Sequence, residues 1–145
     1  MSAEERLKKL FPGLASCPFF RVTSPKDEDY NCIAFAAADE GQWWWPDRQG
    51  QDYWPDGVPR TWDIESFEMA YATLGFTRCH GPEAEDGYIK IAIYAKGGKP
   101  QHAALLVQDG VWTSKLGKLE DVSHSLNAFD GSDYGEAVLF MKKPV

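Results

Sequence analysis

The sequence predicts an α+β domain, and three observations carry that expectation. Apolar residues recur at helical spacing in the first half of the chain, as in Leu7-Leu10-Phe11 and again from Ile64 to Leu74. From Tyr88 the pattern changes to strands, Tyr88–Ala95 and then His102–Val107, and Asp109-Gly110 is a two-residue hairpin signal leading into Val111–Ser114. Helices first and an antiparallel meander afterwards give N-terminal helices packed on a C-terminal antiparallel sheet. The 145 residues suit a single domain, 1–145, long enough to bury a core without staples.

Each element has a local reason. Ser2 followed by Glu5 has the spacing of a capping box, and Pro12-Gly13 ends the first helix. Phe19–Thr23 reads as a short strand and Ser24–Asp29 as a polar loop that delivers Cys32 to a second helix ending near Glu40-Gly41. Residues 41–60 have the Gly, Pro and Asp content of a loop, yet carry Trp43, Trp44, Trp45 and Trp54. Thr61 or Asp63 can cap a third helix that runs to Leu74, with Gly75 just beyond its end. Residues 119–129 suggest a helical turn around Leu119, Val122 and Leu126, and Tyr134–Met141 a closing strand.

Composition narrows the function classes. A hydrophobic share of 43% with 26% charged residues is that of a globular protein, and no apolar run approaches the ~18 residues of a membrane span. The N-terminus mixes charges where a secretory segment would be apolar, so a cytoplasmic protein is expected. A net charge of −7 argues against nucleic acid as a partner, because phosphate contacts dominate that kind of affinity. Cys17, Cys32 and Cys79 are an odd set without a CxxC pair, and no histidine spacing completes a zinc site, so neither a disulfide framework nor a metal is expected.

The chemistry centres on Cys32. A cysteine at a helix N-terminus feels unpaired amides and the positive end of the helix dipole, which favour the thiolate and can hold an oxyanion. The same residue can equally be a small buried hydrophobe. A thiol nucleophile needs a base, and His102, opening a central strand, is the best placed of three histidines. Asn31 serves as helix cap or as oxyanion donor. The tryptophans of residues 41–60 serve as a substrate platform or as packing that holds a long loop still.

Tyr30-Asn31-Cys32, Trp43-Trp44-Trp45-Pro46, His102-Ala103-Ala104 and Ser114-Lys115-Leu116-Gly117 occur in an order that resembles the papain-like thiol hydrolases, in the compact form of the bacterial cell-wall amidases and endopeptidases. The resemblance covers roughly Asp29 to Pro144. It implies a papain-like fold, a Cys32–His102 pair acting on an amide, isopeptide or thioester without a cofactor, and a third polar residue on the strand after the hairpin. That place falls on Ser114, where the family shows His, Asn, Asp or Glu; Asp121 and His124 are the substitutes. The weak third residue leaves a second expectation open, a binding or immunity-type module that holds a protein partner through an acidic, Trp-rich surface.

Overall fold

The computed structural model describes residues 1–145. The strand pattern after Tyr88 is realised as β3 (Tyr88–Lys96), β4 (Lys99–Gln108) and β5 (Val111–Lys115), joined by tight turns at Gly97-Gly98 and Asp109-Gly110. With β1 (Arg21–Ser24), β2 (Thr77–Cys79), β6 (Asp121–His124) and β7 (Glu136–Pro144) they make one seven-stranded antiparallel sheet in the order β1-β6-β5-β4-β3-β7-β2. β3 lies inside the sheet, between β4 and β7, and alternate residues on both of its faces are apolar: Ile91 and Ile93 face one core, Ala92 and Tyr94 the other.

Three short helices flank the sheet. α1 (Ala3–Leu10) is capped by Ser2, whose hydroxyl accepts from the Glu5 amide at 3.1 Å. It buries Leu7 on the Tyr94 face together with Leu14, Trp112, Val122 and Phe129. α2 (Cys32–Ala36) and α3 (Ile64–Ala72) pack on the opposite face, where Ile33, Phe67 and Tyr71 meet Ile91, Ile93 and Ala103. Of the two candidate caps for α3, Asp63 is the one that accepts from the Ser66 amide, at 2.8 Å.

Several elements differ from the sequence-based expectation. The helices do not form one N-terminal block, because β1 lies between α1 and α2 and pairs with β6. Residues 121–124 are strand rather than helical turn: Val122 and His124 point to one face and alternate with Ser123, and β1 and β5 satisfy the backbone on both sides. Pro12 does more than end α1, since it sits in the first turn of a 3-10 segment, Pro12–Ser16. There Gly13 passes so close to the backbone of Ala128 that a Cβ would lie 2.1 Å from its carbonyl oxygen.

α2 is also shorter than its alanine content suggests. The amide of Ala38 bonds the Phe35 carbonyl at 2.9 Å and that of Asp39 bonds the Ala34 carbonyl at 2.9 Å, a Schellman ending with Ala38 left-handed at φ 62°. No helix is long and apolar enough to cross a membrane.

Candidate functional site

Asn31 joins the two segments that build the site. Its Oδ1 accepts from the Ala34 amide at 3.1 Å, capping α2, and from the Trp44 amide at 3.2 Å, while its Nδ2 donates to the Trp44 carbonyl at 2.8 Å. The residue type of Asn31 matters: only a carboxamide can both accept from the N–H and donate to the C=O of one residue's backbone in this way. The result fixes the tryptophan loop against the start of the cysteine helix.

Cys32, the first residue of α2, is 6% exposed and lies at the edge of a cleft of about 300 Å³. Asn31, Trp43, Trp45, Gln101 and Tyr134 are among the cleft's other walls. Burial pushes the thiol up to about 11; the amides of Ala103, Ile33 and Cys32 itself and the charge of Lys115 pull the other way without overcoming it. At neutral pH the resting group is therefore a thiol, not the thiolate that a helix start alone would favour.

His102 is fully buried, and neither ring nitrogen has a hydrogen-bond partner. Its register partner is Tyr94, so its side chain leaves β4 on the Tyr94 and Ala104 face, whereas Cys32 packs with Ala103 on the other. The thiol lies near the amide of Ala103, the residue that follows His102 in β4, and no hydrogen bond joins the thiol to the imidazole. The ladder from β4 to β5 begins only at Leu105↔Thr113, and Gln101 is bulged out between His102 and Pro100. This end of the sheet is consequently open. Aromatic rings enclose the imidazole: Tyr134 stacks on it at 4.1 Å and 8°, with Phe129 and Tyr94 edge-on at 5.0 and 5.3 Å. Burial, helped by His124, holds its pKa well below the usual histidine value, so it is neutral.

Ser114 does not meet His102. It bonds Nε2 of His124 at 2.8 Å, and Nδ1 of the same ring lies 2.7 Å from the Ser125 carbonyl. A carbonyl only accepts, so Nδ1 carries the proton and the Ser114 hydroxyl donates to Nε2. Burial keeps His124 neutral, pushing its pKa down to about 4. Ser114 thus orients His124, and the expected role beside His102 is not the contact it makes.

The other substitute, Asp121, lies on the Cys32 side of the sheet. Its Oδ2 accepts from the Tyr30 hydroxyl at 2.9 Å, and Oδ1 is buried without a partner. Burial raises its pKa, against the Tyr30 bond and the charge of Lys115. Lys115 is fully buried; its ammonium donates to the carbonyls of Asp27 and Gly117 and stands 4.9 Å over the Tyr30 ring. It ties the loop before Cys32 to the end of β5, and its charge favours the thiolate form of Cys32.

The tryptophan loop divides in two. Trp44 and Trp54 are 3% and 4% exposed, belong to the core under α3, and donate their indole N–H groups to Asp39 and to the Pro59 carbonyl. These two indoles pack in the core and are not among the residues that line the Cys32 cleft. Trp43 and Trp45 line the Cys32 cleft. The loop keeps its shape through Trp45 and Tyr53 backbone pairing and through Arg60, which donates to the Asp47 carboxylate and the Asp52 carbonyl.

Tyr134 is the site residue that sequence reading placed only in a strand. Periodicity could not reveal it, because it lies in the turn before β7 and reaches the cleft through the tertiary fold. No group of three or more His, Cys, Asp or Glu side chains comes together to hold a metal ion.

The family described as Domain of unknown function (DUF7689) matches residues 21–142, from the start of β1 into β7. No curated protein and no solved structure matches the chain.

Proposed function

We propose that this chain, which belongs to the DUF7689 family, is a thiol hydrolase of papain-like fold acting on an amide, isopeptide or thioester of a peptide or protein. The observation that carries the reading is the orphaned imidazole of His102, neutral and buried one residue before Ala103, whose amide meets the Cys32 thiol. A buried histidine with two unpaired nitrogens is costly, and such groups concentrate where chemistry needs them.

In this reading Cys32 attacks the carbonyl carbon and His102 takes the thiol proton as the S–C bond forms. Because the resting pair is neutral, proton transfer accompanies attack instead of preceding it. The Cys32 amide faces the developing oxyanion, and the second N–H of Asn31 Nδ2 is a further donor. On collapse the proton passes to the leaving group, and water releases the acyl group from sulfur. No cofactor enters. Trp43 and Trp45 supply apolar walls for the substrate chain. The three free cysteines fit the reducing cytoplasm, and a cell-wall substrate is not carried over with the fold.

A second reading, a papain-like binding module without turnover, is favoured by one observation: Ser114 serves His124, so His102 has no orienting partner. In that case the acidic surface and Trp43 hold a protein partner. Incubation with p-nitrophenyl acetate and a panel of peptide amides and thioesters separates the two. The hydrolase acylates on the Cys32 peptide, releases product over many turnovers, and loses both in Cys32→Ala. Absence of any Cys32-dependent acylation across the panel leaves the module.

A further inference from the structure

We propose that Tyr134 is a catalytic residue of this site, its hydroxyl donating a hydrogen bond to the carbonyl oxygen that becomes negative when Cys32 attacks. The inference rests on the thiol-hydrolase reading and adds to it a group that touches the reacting atoms.

The ring is held from both sides. His102 stacks on it at 4.1 Å and Phe11 at 5.1 Å and 26°, while Phe129 meets it edge-on at 5.3 Å. Its backbone is fixed as well: the Tyr134 amide donates to Ser132 Oγ at 3.2 Å. The following Gly135 has φ 76° and lies so near Ala95 that a Cβ would come within 2.0 Å of the carbonyl oxygen. No other residue fits there without moving β3. The phenol is thus placed by packing and not by a bond to its oxygen, for the hydroxyl has no protein partner and is not sealed from solvent.

Tyr134 lines the same cleft as Cys32. Burial and the proximity of Cys32 both keep the phenol protonated, so it remains a donor at every physiological pH. A rigid, uncommitted donor beside a nucleophile is the arrangement that stabilises an oxyanion, because nothing need reorganise as charge develops. The step balances simply. Sulfur bonds to the carbonyl carbon, the thiol proton goes to His102, and the carbonyl π pair moves onto oxygen, where the Tyr134 O–H holds it without giving up its proton. When the C=O re-forms the leaving group departs with the proton from His102.

The test compares wild type, Tyr134→Phe and Cys32→Ala in two reactions of the same thiol. Acylation by p-nitrophenyl acetate passes through an oxyanion; alkylation by iodoacetamide does not. Tyr134→Phe keeps the stacked ring and removes only the hydroxyl. The expected result is Cys32-dependent acylation slowed on the order of a hundredfold, the scale of one lost oxyanion donor, with alkylation within about twofold. Equal acylation in Tyr134→Phe and wild type overturns the proposal while leaving the hydrolase reading intact. Equal slowing of both reactions also overturns it, since that marks a structural ring. Absence of Cys32-dependent acylation in the wild type removes the hydrolase reading and this proposal together.

Discussion

The imidazole of His102 lies flat against the phenol of Tyr134, 4.1 Å between centroids and 8° from parallel, and neither of its nitrogens is hydrogen-bonded. Each unpaired buried group costs roughly 1–3 kcal/mol. The fold carries that destabilisation at one point. The same enclosure makes the ring neutral, which is the state a base must start from.

Acid should therefore destabilise the protein before its carboxylates titrate. The unfolded chain protonates histidine near 6.5, whereas folded His124 resists until about 4 and His102 also stays neutral well below the usual value. Between pH 6.5 and 4.5 the unfolded state thus binds more protons, and stability falls as pH falls, by about 2–3 kcal/mol for His124 alone. Urea denaturation across this window is expected to show the slope, reduced in His124→Gln. A flat profile would mean that both rings are solvated.

Asn31→Ala should loosen both the helix and the loop it joins. Three hydrogen bonds disappear, two of them to the buried backbone N–H and C=O of Trp44. A loss of about 2–3 kcal/mol in chemical denaturation is expected from the cap and the stranded peptide groups. A loss below about 0.5 kcal/mol would show that water replaces the carboxamide.

The tryptophans should separate by measurement. Trp44→Ala empties a core position and is expected to cost about 3–5 kcal/mol. Trp43→Ala, on the cleft wall, should change stability by less than about 1 kcal/mol while weakening turnover of peptide substrates through KM. Equal destabilisation by both would place Trp43 in the core.

Ala38 carries a left-handed backbone that glycine adopts without penalty. Ala38→Gly is expected to raise the denaturation midpoint, through an unfolding free energy larger by about 0.5–1 kcal/mol after the added chain entropy is counted. A lower midpoint would show that the Ala38 methyl, beside Phe76 in an apolar groove, contributes more than the strain.

Much of the α+β architecture was legible because the residues concerned act locally. Asp109-Gly110 turns wherever it occurs between strands, and Asn31 and Asp63 cap helices by their own side chains. β2 and β6 were not legible, since three or four residues become strand only when a neighbouring edge completes their hydrogen bonds. Within the site, Cys32, Asn31, Trp43 and Trp45 do share a cleft. Local sequence cannot tell which histidine Ser114 meets, because β5 and β6 decide that by register, nor that Tyr134 crosses into the cleft from a turn.

Cys32 and His102 are proposed to act together although no bond joins them at rest. The pH dependence of Cys32 acylation by p-nitrophenyl acetate in wild type and His102→Ala measures that cooperation. At pH 7 the wild type is expected to exceed the variant by about a hundredfold or more, the scale of general-base catalysis. The variant's rate should climb with pH towards the thiol pKa of about 11. Superimposable profiles for the two proteins would contradict it.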